Sequence, residues 1–244
     1  MKFGIIAGTY FESIPEPYTE RSISTPYGDI VVQEKQLEGG KTVYFLKRHG
    51  VFYEHEPSRI NYRANIYGMH KLEVTHLIGL SNVGACDYTF KLGSFCTLSD
   101  FLDFTKDRST SFERKHRLSL HTPMDDVFDP ELTDALENLI SEEGHAYSGR
   151  AVYACTEGPR FETAAEVRML RMLGAQVIGM TIVPEAPLAR SIGLKYAGLG
   201  LITNYATGMI PEVRDENIKE MIEGHKAQAL EICFSLIRNM RADA

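Results

Sequence analysis

Cysteine is scarce and scattered: Cys86, Cys96, Cys155 and Cys233 lie far apart, with no CxxC pair and no neighbouring histidine pair. That spacing argues against a metal site and against a disulfide framework, so no metal is expected. No apolar run approaches the roughly 20 residues that cross a bilayer, and no basic segment followed by an apolar stretch opens the chain. The expectation is therefore no membrane contact and a cytoplasmic location. Basic residues cluster only at Arg114-Lys115-His116-Arg117, a run too short to overcome a net charge of −7, so nucleic acid is not an expected partner. The dinucleotide fingerprint is missing too, because Tyr10-Phe11 stands after Gly8-Thr9 where further glycines should come.

What is present fits one α/β domain over residues 1–244, with 43% hydrophobic residues to fill its core. Lys2 to Thr9 reads as a strand running into a glycine and a hydroxyl, which is either an anion-binding turn or a plain tight turn. Arg21 to Leu46 has the turn spacing of a β-meander, and it delivers Arg48-His49 at the mouth of its last strand. A guanidinium fork beside an imidazole suits an oxyanion, although an exposed basic turn would look the same. Ile60 to Lys71 is a helix. Val74 to Leu80 is a buried strand ending in Ser81-Asn82, and Leu92 to Leu98 continues the sheet. Phe101 to Arg117 is expected to be a polar, mobile loop. His121, beside a proline turn, fits surface, core or site, and Asp129-Pro130 opens a helix that runs through Glu142.

From Cys155 to Asn204 the pattern is strand, turn, helix, twice over, then a third strand. Ala151 to Cys155 leads into the turn Glu157-Gly158-Pro159-Arg160-Phe161-Glu162-Thr163, and Ala164 to Leu173 is helical. Gln176 to Thr181 is a strand, Glu185 to Ile192 a short helix, and Tyr196 to Thr203 a strand that delivers Asn204. A long amphipathic helix runs from Asp215 to Met240. These strands are expected to present their functional residues at carboxyl ends, where open α/β sheets place ligands. Thr9, Arg48, His49, Ser81, Asn82 and Thr181 bring hydroxyl, amide and basic donors suited to phosphate. Phe161, Glu162, Met180 and Asn204 bring an aromatic face, a carboxylate, an apolar wall and an amide, suited to a flat heterocycle with a lactam edge. Phosphate beside a heterocycle, with no metal ligands, points to phosphorolysis of an N-glycosidic bond.

Glu157 to Glu166, Val177 to Glu185 and Leu201 to Asn204 together resemble the trimeric purine nucleoside and methylthioadenosine phosphorylases, and Arg48-His49-Gly50, Pro57 to Asn65 and His121 to Met124 lean toward the methylthioadenosine branch. The resemblance covers nearly the whole chain. It implies a mixed, partly barrel-like sheet, a homotrimer, phosphate as co-substrate and no cofactor. Carried over by position, it puts Thr9, Arg48, His49, Ser81, Asn82 and Thr181 around phosphate and Met180 against the ribose. It puts Phe161 on the purine, Tyr205 and Ala206 beside Asn204, and His121 near the 5′ end of the chain's own or a neighbouring chain's site. Gly208 to Arg214, with Met209, Ile210 and Val213, would favour a thioether at that end.

Adenine-selective members of that family carry Asp at the position of Asn204, a second Asp at Ala206 and a small hydroxyl residue at Glu162. Asn204 can donate to N7 and Glu162 can accept from N1–H, so the resemblance implies 6-oxopurine nucleosides: inosine, guanosine or 5′-methylthioinosine. A methylthioadenosine phosphorylase and a non-catalytic purine-binding sensor are the alternatives. Several positions depart from the family pattern: Ala7-Gly8-Thr9-Tyr10 replaces a run richer in glycine, Asn82 stands where alanine is usual, and Ser81 and Ala85 also differ from the commonest residues.

Overall fold

The computed structural model describes residues 1–210 and 215–240. Nine strands among them form one mixed sheet: β1 (Lys2–Ala7), β2 (Thr19–Thr25), β3 (Gly28–Leu37), β4 (Lys41–Lys47), β5 (His76–Ala85), β6 (Phe95–Phe104), β7 (Tyr147–Thr156), β8 (Val177–Gly179) and β9 (Lys195–Tyr205). The strand order is β2-β3-β4-β1-β5-β8-β7-β6-β9, and an additional β5–β9 pairing closes β5, β8, β7, β6 and β9 into a five-stranded barrel. Closure removes edges that a flat sheet of this size would expose. The helices are α1 (Tyr62–Lys71), α2 (Pro130–Glu142), α3 (Ala164–Met172), α4 (Ile182–Ser191) and α5 (Asp215–Asn239). None of the described helices is long and apolar enough to cross a membrane.

The expected meander is present, with β2, β3 and β4 antiparallel in sequence order. One apolar cluster joins β1, β4 and the barrel to α2 and α5 through residues such as Phe3, Phe45, Leu136, Leu199 and Phe234. A second fills the opposite face beneath α1 and α4, around Ile66, Leu77, Leu98, Tyr153 and Tyr196. Helix α2 begins as expected, with the Asp129 carboxylate accepting from Leu132 N–H and proline at the first position. Helix α3 opens on a capping box between Thr163 and Glu166, a pairing that fixes the end of the Gly158-Pro159 turn.

Three expectations need correction. Phe101 to Phe104 are not loop: they extend β6 and pair with β7 from Phe101↔Tyr153 to Phe104↔Thr156, because β7 offers a ladder that local composition does not reveal. The segment after them is anchored by the Arg108 side chain, which is 1% exposed. Strand β5 runs on past Leu80 to Ala85, so Ser81 and Asn82 are strand residues. Finally, β8 is parallel to β7 but antiparallel to β5, so the barrel does not line up its carboxyl ends in one row.

Close approach explains one glycine in particular. A Cβ on Gly79, in the middle of β5, would stand 1.7 Å from the Tyr196 hydroxyl, which is fully buried and bound to Glu185. Gly79→Ala is expected to destabilise the protein by about 1–3 kcal/mol, as overpacked cores do; urea denaturation of the variant beside the parent checks it.

Candidate functional site

An open cavity lies between β5, β9, the β7–α3 turn and the β8–α4 junction. Of the residues singled out in the sequence, Thr9, Arg48, His49, Ser81, Asn82, Phe161, Glu162, Met180, Thr181, Asn204 and Ala206 all line it. Two do not. His121 is exposed outside the cavity of its own chain, and the Tyr205 ring packs on Tyr88 at 5.5 Å between centroids. Met209 and Ile210 are also absent from the lining, Met209 packing instead against the cluster around Val167 and Ala206. Val213 lies outside the described residues. Ile218 of α5 provides an apolar wall that the sequence reading missed.

Arg48 anchors the anion end. It is 1% exposed, and four of its five N–H groups are engaged. Nε and Nη2 grip the two Glu185 oxygens at 2.7 and 2.8 Å, Nη2 also donates to the Ile6 carbonyl at 3.0 Å, and Nη1 donates to the Leu80 carbonyl at 2.9 Å. One Nη1 hydrogen is left for the cavity. Burial works against the charged guanidinium, but the Glu185 carboxylate outweighs it and holds the pKa above its ordinary value. Glu185 takes a third bond from the Tyr196 hydroxyl at 2.7 Å. Its signal in the sequence was a lone acid in an otherwise apolar stretch of α4.

His49 is buried beside it, and its Nδ1 lies 2.9 Å from the His55 carbonyl. A carbonyl only accepts, so Nδ1 carries the hydrogen and Nε2 is left with its lone pair or a second proton. Burial pushes this imidazole down to about 4, against the pull of the His55 hydrogen bond. The ring is therefore neutral at pH 7. Ser81 and Thr181 hydroxyls approach to 3.3 Å, and the Asn82 amide donates to the Thr9 carbonyl at 3.1 Å. Tyr10 adopts a φ of 71°, the left-handed conformation that glycine favours, and its ring packs away from the cavity into the α5-side cluster.

At the other end a β-bulge does the aiming. Val83 faces Ile202 and Gly84 faces Asn204, which makes Thr203 an extra residue on β9. Neighbours on a regular strand point to opposite faces, yet here Thr203 and Asn204 both line the cavity. The Thr203 hydroxyl donates to Asn204 Oδ1 at 2.9 Å and Asn204 Nδ2 donates to the Tyr205 carbonyl at 3.1 Å, leaving one amide hydrogen for a ligand. Glu162 is 8% exposed, and its Oε1 accepts from the Thr156 hydroxyl at 2.5 Å while Oε2 has no hydrogen-bond partner among the described residues. Phe161 hangs over the mouth, 44% exposed.

Arg108 is the second residue that sequence reasoning missed. Its Nη1 donates to the Met180 and Val183 carbonyls at 2.7 and 2.8 Å and its Nη2 to the Glu157 carbonyl at 2.8 Å, while Nε pairs with the Glu157 carboxylate at 3.2 Å. It ties the turn that carries Phe161 and Glu162 to the junction that carries Met180 and Thr181. Nothing local in Lys106-Asp107-Arg108 signals this role, since all the partners are distant in the chain.

Comparisons with known proteins place the chain in a family. A model of the phosphorylase superfamily matches residues 2–238. The chain belongs to the phosphorylase superfamily. Among its relatives, a probable 6-oxopurine nucleoside phosphorylase of Thermococcus kodakarensis is 40% identical over 84% of this chain and 79% of its own. A probable S-methyl-5'-thioinosine phosphorylase of Methanopyrus kandleri is 38% identical over 94% and 89%. The solved methylthioadenosine phosphorylase of Schistosoma mansoni in complex with adenine superposes with a TM-score of 0.90 at 25% identity, covering 97% of this chain and 91% of that one.

Within this superfamily member the Arg48–Glu185 pair is the most exposed to mutation. Glu185→Gln leaves a buried guanidinium without its counter-charge and is expected to cost about 3–5 kcal/mol, read by urea denaturation. His49 makes stability pH-dependent. Its folded pKa of about 4 lies below the unfolded 6.5, so the unfolded chain takes up the proton first. Stability from its neutral burial is complete above pH 6.5 and is lost as pH falls toward 4. Between pH 7 and pH 5 the parent should lose about 2 kcal/mol that a His49→Gln variant does not lose. Denaturation curves at the two pH values check this.

Proposed function

We propose that the chain cleaves the N-glycosidic bond of 6-oxopurine nucleosides by phosphorolysis, releasing the free purine and ribose 1-phosphate or its 5-methylthio counterpart. The observation that carries the choice of base is the pair Asn204 and Glu162, which line one cavity with an amide N–H and a carboxylate oxygen that no described residue engages. An amide hydrogen suits N7 or a 6-oxo group, and a carboxylate oxygen suits the N1–H that a 6-oxopurine has and a 6-aminopurine lacks. Facing adenine, that oxygen would meet the bare N1 acceptor, which a buried site rejects strongly. The names of the relatives support phosphorolysis of purine nucleosides, while the base preference rests on these two side chains.

The reaction needs little acid–base chemistry from the protein, because phosphate arrives as an anion. As the C1′–N9 bond stretches, its electron pair moves onto the purine and the sugar gains oxocarbenium character. A phosphate oxygen then forms the new C1′–O bond from the opposite face. Asn204 meets the charge building at N7, and Arg48, Thr9, Ser81 and Thr181 hold the nucleophile in line. Met180, which lines the same cavity, would lie against the ribose. Assembly as a homotrimer, with His121 of one chain at the 5′ end of a neighbour's site, belongs to the same reading.

Phosphate-dependent release of hypoxanthine from inosine and 5′-methylthioinosine, measured against release of adenine from the matching adenosines, tests the proposal. The expected result is a preference for the 6-oxo base of at least about a hundredfold in kcat/KM. Preference for adenine would transfer the chain to the methylthioadenosine reading, and nucleoside binding without release at any phosphate level would make it a sensor. Asn204→Asp should lower kcat for the 6-oxopurine by about tenfold or more, since a carboxylate cannot donate to N7.

A further inference from the structure

Asn82 carries an acceptor that its own chain leaves unsatisfied. Its Nδ2 donates to the Thr9 carbonyl at 3.1 Å, and because a carbonyl only accepts, that contact fixes which end of the amide is which. Oδ1 is buried and has no hydrogen-bond partner among the described residues. The residue lines the cavity alongside Thr9, Arg48 and Ser81. A buried acceptor of this kind is unfavourable unless something brings it a hydrogen.

Its neighbours at this end have the opposite character. The spare Nη1 hydrogen of Arg48 and the hydroxyls of Ser81 and Thr181 can all donate to an oxyanion. An anion with no O–H, such as sulfate, would satisfy those donors and set one of its own oxygens against Asn82 Oδ1. Phosphate at neutral pH always retains at least one P–O–H group, which can donate to it.

We propose that Asn82 Oδ1 accepts the P–O–H hydrogen of the co-substrate, so that the anion end of the cavity selects a protonated oxyanion over one that has no hydrogen to give. The proposal rests on the phosphorylase reading above and makes Asn82 a specificity-determining residue. No proton is transferred: the hydrogen bond orients the phosphate and leaves its other oxygens for the donors and for attack on the sugar.

The test compares phosphate, arsenate and sulfate in the parent and in Asn82→Ala. Phosphate and arsenate both carry an O–H, so their KM values should rise together by about tenfold in the variant, while the Ki of sulfate as a competitor stays within about twofold. The ratio of sulfate Ki to phosphate KM thus narrows by about tenfold. A parallel rise for all three anions would mean that the substitution only loosened the loop, and a rise confined to the nucleoside KM would mean that Oδ1 serves a sugar hydroxyl; either overturns the proposal. Should the variant fail to fold, the parent alone decides, because sulfate that competes as well as phosphate excludes the idea. If no phosphate-dependent base release is found, the functional reading fails first, and calorimetric titration of parent and variant with phosphate and with sulfate still decides the role of Asn82.

Discussion

The site depends on one buried ion pair. Arg48 and Glu185 both have side chains that are 0% exposed, and each is bound by more than its partner. Arg48 follows β4 and reaches the carbonyls of Ile6 in β1 and Leu80 in β5, while Glu185 belongs to α4 and takes the hydroxyl of Tyr196 in β9. Five elements are therefore registered by two side chains. A pair of well-packed apolar residues could hold such elements together as firmly, since desolvating two charges offsets most of their attraction. What apolar residues could not supply is a fixed, permanently charged donor with one hydrogen aimed at the cavity. The pair is better understood as a device for placing charge than as a source of stability.

From that fixed point the cavity divides by chemistry. At the end near Arg48 the groups among the described residues are hydroxyls, an amide, a neutral imidazole and a guanidinium. The lining also carries Glu162, Asn204, Phe161 and Met180. Arg108 holds the two halves at their separation, because it bonds at once to the turn after β7 and to the junction between β8 and α4. The bulge in β9 performs the corresponding task for Asn204, turning two consecutive residues toward one space.

Much of this was legible in the sequence. Period-2 and period-3.6 patterns located the meander, the strands on either side of α3 and α4, and the final helix, because burial of one face leaves its period in the residue order. The turn Gly158-Pro159-Arg160-Phe161-Glu162 and the Asn204 strand end were readable because turn chemistry and polar residues at the ends of apolar runs are local signals. The reach of β6 through Phe104 was hidden, since its partner β7 lies some fifty positions on and a polar strand looks like a loop until the partner is known. The same holds for Arg108, whose partners are all remote, and for Met209 and Tyr205, which sit next to site residues in sequence but turn elsewhere.

By itself, then, the order of residues determined which chemical groups this protein has available and that a phosphate and a lactam could both be served. Only the tertiary structure decided that β8 runs against β5, that a bulge turns Asn204 inward, that Glu185 rather than solvent neutralises Arg48, and that Asn82 is left with an acceptor to fill. The reason is physical: composition and periodicity record what each residue needs from its surroundings, whereas barrel closure sets which distant residue supplies it.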